Sequence, residues 1–409
     1  MENKLIKIMK AKIVAVNLLI FTISSFGQTP PDSNYTGVLK SYFNNGSISG
    51  ETPFTKGKKN GAGKFYYESG KLNGEIPYAS DKMNGVSTEY FESGKLKSVA
   101  PYKEDAIDGA LKQYYENGKL AKITPYIANK ENGIEESYFE DGKLSTHIEY
   151  HMDTIIGTAK TYYENGKPEW ETSYKGGVKS GPTKRYFENG KLNLDGGYLA
   201  GKANGTYKKY NEAGKLLLVM TYVNGQLTGP TKEFDENGKL LNEAYYLHDK
   251  LSGIVKQYYE SGKLKMECPY IDSNRNGVGK HYYENGKVEN EWTYKNDSLY
   301  GQAKSYYESG KLMAEGLYIG NKLNGTLREY FESGELKDEL PFTDSLRNGI
   351  GKEYYKNGKT KKEWPFKNDN LSGVAKEYYE SGKLKSETIY NNGCIGTVKN
   401  YDENGNEIK

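Results

Sequence analysis

From residue 34 to the end of the chain, aromatic and β-prone positions return in a fixed order every 24 residues. Let position 0 be the glycine of the recurring motif Tyr-Tyr-Glu-Asn-Gly-Lys-Leu. It falls at Gly46, Gly70, Gly94 and onward in steps of 24 to Gly382. A last copy, at Gly405, comes one residue early. A second glycine follows fifteen residues after the first, from Gly61 to Gly373, and its last copy, Gly396, is also one short. One deletion in the last link accounts for both. Position −4 is aromatic in all sixteen copies, with Phe234 the one departure from tyrosine. Positions −3 and +8 are aromatic almost throughout. Two turn signals per unit at a constant period indicate a repeat array, with no globular domain boundary inside it.

Each unit reads as a β-hairpin. Asn-Gly or Ser-Gly between aromatic, β-prone runs is a strong hairpin signal. The first strand is predicted from about −8 to −2, the second from +1 to +8, with +9 to +15 as the link. Proline at +7, as in Pro53, Pro269 and Pro365, is expected to end the second strand. A two-residue turn would set −2 opposite +1, −3 opposite +2 and −6 opposite +5. The charges agree: glutamate at −2 accompanies lysine at +1, and every glutamate at +5 meets Lys or Arg at −6. Where −6 is Thr88 or Glu136, position +5 is Val99 or His147. In this register −3 and +8 form the core face, with the +8 ring over the strand glycine at −9. The −4 tyrosines form a half-exposed ladder between rows of Glu and Lys on the other face.

Composition fits this picture. The 39 tyrosines argue against disorder, although hydrophobic residues reach only 35%. The formal charge of +3 comes from residues 1–27, which carry four lysines and one glutamate. The rest is neutral, so there is no general electrostatic attraction for nucleic acid or anionic lipid. Residues 1–27 read as an export signal: Lys4, Lys7, Lys10 and Lys12 precede an apolar run, and Ser25 and Gly27 suit a cleavage site. The expected organisation is a signal peptide at 1–27, a leader at 28–33 and repeats at 34–409. The mature protein is expected to be soluble in the periplasm, at the cell surface or outside the cell. Cys268 and Cys394 lie more than five units apart, too far for an internal disulfide.

Catalytic and ligand motifs do not survive inspection. Gly57–Lys64 resembles a phosphate loop, but Phe65 stands where Ser or Thr would hold magnesium. Asp272, Asn274, Asn276 and Gly277 match half a calcium loop, but Tyr283 replaces its closing acid. His147, His151, His248 and His281 do not assemble into a zinc set by spacing. No cofactor and no enzymatic activity are expected.

Aromatic and glycine signposts on a hairpin of this length resemble the MORN repeat. The Tyr-Tyr-Glu-Asn-Gly-Lys-Leu form resembles its bacterial variant, common in proteins labelled YwqK-type antitoxins. The resemblance implies an all-β fold, an elongated twisted antiparallel sheet of tandem 24-residue hairpins. It also implies scaffolding through protein contacts. The expected function is therefore a non-enzymatic exported scaffold that binds an unknown protein partner or itself. Binding of an envelope glycan is one alternative, and an antitoxin-like role toward a toxin partner is another. Nucleic acid and the membrane surface are not expected partners. The candidate contact residues are Tyr258, Tyr282, Tyr306, Tyr330, Tyr354 and Tyr378 of the −4 ladder.

Overall fold

The computed structural model describes residues 32–408, and the predicted export signal lies outside them. The chain divides between Asn132 and Gly133 into two units. In both, the described residues form antiparallel β-structure without a helix.

The repeating hairpin is seen in Gly253–Tyr258 and Leu264–Ile271. Its turn is not the two-residue turn expected. The Tyr259 N–H donates to Lys263 O at 2.8 Å, and the Gly262 N–H donates to Tyr259 O at 2.8 Å. Three residues, Glu260 to Gly262, therefore make the loop. Gly262 closes it at φ +83°, a conformation in which a Cβ is strained. The wider loop corrects the register near the turn. Position −2 lies in the loop, so Glu260 does not face Lys263. Position −4 lies opposite +2, as in Tyr258 with Leu264, so −3 does not face the leucine.

The register then shifts by one residue. Lys265 at +3 is bulged out, Gln257 pairs with Met266, and Lys256 pairs with Glu267. The extra loop residue and the extra strand residue cancel. The expected −6/+5 and −9/+8 pairs both form: Gly253 lies opposite Tyr270. The same geometry recurs in the first unit, where Gly61–Tyr66 pairs with Leu72–Ala79 and Lys64 meets Glu75.

The link holds the true two-residue turn. Ile271 pairs with Asn274, and the intervening Asp272 and Ser273 have φ +49° and +71°. Two successive positive φ values give a turn whose twist matches the flanking strands. Proline at +7 does not end the second strand, which runs on through Ile271. Pro269 instead packs on a second irregularity. Gly277, at φ +113°, bends the next strand away, and a Cβ there would lie 2.9 Å from the Pro269 ring. The proline lacks a donor where the ladder is already interrupted, while its carbonyl accepts from the Asn276 N–H at 2.9 Å. In the last link Glu387 pairs with Lys399 after a shorter detour, so the one-residue deletion falls in this strand bend and leaves the turn intact.

Strands join serially. Met266 and Glu267 pair outward with His281 and Lys280 of the following hairpin. Small or medium side chains at −7 and +6 are buried: Cys268 is 3% exposed, and the hydroxyls of Thr172 and Thr183 bond each other at 2.9 Å. The +8 rings lie over these pairs, with cations stacked outside them, as Arg275 stacks on Tyr294 at 4.3 Å. Rings laid along the sheet thus supply the second layer that a lone sheet lacks. In the first unit Phe65, Ile76 and Tyr78 form such a cluster.

Candidate binding face

Strand alternation sends −8, −6 and −4 to one face, with their partners +7, +5 and +2. This is the tyrosine face. The expected ladder lies on it, and all six candidate tyrosines are half-buried.

Their hydroxyls reach back to the preceding hairpin. Tyr258 donates to Glu243 at 2.6 Å, Tyr282 to Glu267 at 2.6 Å and Tyr306 to Glu291 at 3.1 Å. Tyr330 donates to Glu315 at 3.1 Å, Tyr354 to Glu339 at 2.8 Å and Tyr378 to Glu363 at 3.2 Å. Each acceptor is the +5 glutamate that faces the −6 cation in register, and Glu243 meets Lys232 at 2.7 Å. The ladder therefore clamps successive hairpins, and what it leaves exposed is ring surface. Phe234, the lone phenylalanine at −4, falls where the preceding hairpin carries Val219 in place of glutamate.

The electrostatics follow. Burial first, then the Glu243 carboxylate, pushes the Tyr258 hydroxyl up to about 12. Burial and Glu339 do the same to Tyr354, also to about 12. Glu243 is held below the ordinary carboxylate value by Lys232 and then by Tyr258. These carboxylates are hydrogen-bond acceptors held ionised, which does not suit acid–base chemistry.

Beside the tyrosines, the +5 glutamates and −6 cations form a row that alternates in sign from strand to strand wherever both are present. In the second unit it runs unbroken from Lys232 through Glu243, Lys256 and Glu267 to Lys399. Beyond it lies a third row that the sequence reading did not pick out. Position −8 pairs with +7, joining Ile254 to Pro269, Ile350 to Pro365 and Val374 to Ile389. The exposed apolar side chains thus lie on the charged face, contrary to the expectation that the −3/+8 face carries the apolar surface. A period of 24 in β-branched residues at −8 was the available signal.

The −3 tyrosines, on the opposite face, reach forward. Tyr259 donates to Tyr282 O at 2.6 Å and Tyr283 to Tyr306 O at 2.7 Å. Lysine at +1 caps the next loop, as Lys263 Nζ bonds Glu284 O at 2.6 Å. At the far edge the link turns are tied as well: the Arg275 N–H donates to Asp297 Oδ1 at 2.9 Å and the Arg347 N–H to Asp369 Oδ1 at 2.9 Å.

The other candidates have local roles. Asp272, Asn274 and Asn276 build the link turn, with Asp272 3.6 Å from Lys250. His147 bonds Glu136 at 3.2 Å, and His281 meets the Trp292 ring edge-on at 4.8 Å. Among the described residues no group of three His, Cys, Asp or Glu is placed to hold a metal. Cys268 and Cys394 are free thiols, and burial pushes the Cys268 thiol up, away from a reactive thiolate.

The profile of the MORN repeat variant matches thirteen tandem segments, the first at 59–79 and the last at 371–392, together more than half of the chain. The stretch between the matches at 156–175 and 203–224 keeps the same hairpin, with Gly181 opposite Tyr198. No curated protein matches the sequence. Among solved structures, the chain is similar to the crystal structure of TcdB2-TccC3, at 12% identity over 91% of this chain and 24% of that one, with a TM-score of 0.16. It is also similar to TcdB2-TccC3-Cdc42, at 9% identity over 90% of this chain and 27% of that one, with a TM-score of 0.14. The chain spans about a quarter of the length of these structures.

Proposed function

The chain belongs to the MORN repeat variant family, and from that premise we propose that it is a non-enzymatic scaffold that binds protein along its tyrosine face. The supporting observation is the periodic row of half-buried rings from Tyr258 to Tyr378, each fixed by a carboxylate of the preceding hairpin. Fixed aromatic rings give a partner contact area at low entropic cost. Their regular spacing suits an extended protein better than a small ligand.

The test separates ring from hydroxyl. Tyr282, Tyr306 and Tyr330 are replaced together by phenylalanine, and Tyr306 alone by serine. Partner capture from an envelope extract is measured beside the β-sheet circular dichroism. The phenylalanine variant should keep capture, and Tyr306→Ser should weaken it while remaining folded. Equal capture by a folded Tyr306→Ser protein would remove the ladder as the binding surface. Capture of cell-wall glycan in place of protein would favour the glycan-binding alternative.

Export is part of the same proposal, supported by the basic, apolar and small-residue segments of 1–27. The intact mass of the native protein should correspond to a start at Gln28. A mass that retains residues 1–27 would reject cleavage.

A further inference from the structure

The apolar row at −8/+7 and the alternating row beside it run together from Ile254 to Ile389 in the second unit. The apolar row is well exposed: Ile254 is 52% exposed, Ile350 58% and Val374 44%. Directly opposite them stand Pro269, Pro365 and Ile389. From Ile254 to Ile389 the row is apolar except at Thr293, Gln302 and Thr326, and an exposed apolar strip rimmed by charge is the usual signature of a contact surface.

The charges limit what can cover it. Between Lys232 and Lys399 each cation lies between two carboxylates, so the row presents little net field to a phosphate backbone or an anionic membrane. Its sign changes with every strand, at a repeat of about 4.8 Å per strand. A surface that matches it residue for residue must alternate at the same spacing, and a second copy of the same row does so.

We propose that the tyrosine face of the second unit pairs face to face with that of another copy of this chain. This rests on the protein-binding reading above and names its partner. The symmetry is simple. A two-fold axis parallel to the strands, passing between a Lys strand and a Glu strand, maps each row onto its own counterpart. Because the row has a period of two strands, this axis sets every Lys or Arg opposite a Glu. It also sets the Ile254–Ile350 strip against its copy. The contact is isologous, as closed dimers require. Packed sheets stand about 10 Å apart and cross at roughly 30°, so the contact is centred on a few hairpins.

The full chain is examined by sedimentation equilibrium, as wild type and as Ile254→Lys/Ile350→Lys. Both sites are exposed, and the circular dichroism should not change. The wild type should dimerise, and the double variant should dissociate at least about tenfold more readily, as expected when a charge enters an apolar contact. Zero-length carbodiimide coupling of mixed isotope-labelled and unlabelled chains should join Lys and Glu of the alternating row between copies. A wild type that stays monomeric at all concentrations, or a double variant that dimerises as well as wild type, overturns the proposal. If self-association fails while Tyr306→Ser still weakens capture from the extract, the protein-binding reading stands and only its assigned partner falls. If both fail, both readings fall.

Discussion

Replacing Gly277 by valine should destabilise the hairpins around it by about 3–5 kcal/mol. A β-branched residue at a positive φ costs roughly 1–3 kcal/mol, and a clash with a rigid neighbour costs about as much again. Gly277 sits at φ +113°, and its added Cβ would lie 2.9 Å from the Pro269 ring. In a repeat array stability is a sum of unit and junction terms, so the damage should stay local. Denaturant unfolding should gain an early transition, and hydrogen exchange should quicken at Ile271 and Arg275. Adding Pro269→Ala should recover the steric part and leave the backbone part. A Gly277→Val protein that unfolds within about 0.5 kcal/mol of wild type would mean that the bend does not need its glycine.

The second large effect is alkaline. With the hydroxyls of Tyr258 and Tyr354 pushed up to about 12, an unfolded tyrosine ionises near 10 while the folded one stays neutral. Their contribution is fully present below pH ~10 and is lost as the pH rises toward 12. The acid limb has the opposite sign. Glu243 and Glu339 are held below their ordinary values, so their contribution is present above pH ~4.5 and is lost as the pH falls. Phenylalanine at both Tyr258 and Tyr354 should cost about 2–3 kcal/mol near neutrality, since hydrogen bonds to charged groups are worth about 1.5 kcal/mol or slightly less when half exposed. It should also make the alkaline fall shallower. Urea midpoints measured from pH 7 to 11.5 decide the matter. An unchanged alkaline slope would show that these hydroxyls are not clamped.

Much of this fold was legible because facing charges covary. The −6/+5 pairs were read correctly from a turn that was read wrongly. The three-residue loop and the bulge at Lys265 each displace the register by one, in opposite senses. Sequence pairs four strand positions from the turn record only the net displacement. Pairs next to the turn carried no such protection, so Glu260 was set against Lys263 when it sits in the loop. The link turn was missed for a different reason. Its signal is a recurrent Asp, Asn, Ser or Gly at +11, less regular than the glycine at +15. That glycine serves the bend against Pro269 and no turn at all. The clamp on the −4 tyrosines was half visible: the preference for a hydroxyl was plain, but its acceptor lies in the preceding hairpin, fifteen residues back.

The adjacent tyrosines at −4 and −3 bond in opposite directions along the array. Tyr282 holds Glu267 behind it, and Tyr283 holds the carbonyl of Tyr306 ahead. From Tyr258 to Tyr379 each unit therefore carries both halves of the same joint, except where Phe331 lacks the hydroxyl. If recombination removes one whole unit, the flanking units meet with matching donors and acceptors, and the Lys/Glu alternation continues unbroken because a unit contributes one of each sign. Excision of half a unit would set like charges side by side and leave both hydroxyls without their acceptors. Array length can thus drift in steps of 24 residues at little energetic penalty, and a lineage can lengthen or shorten the array by changing copy number alone, with no new contact to invent.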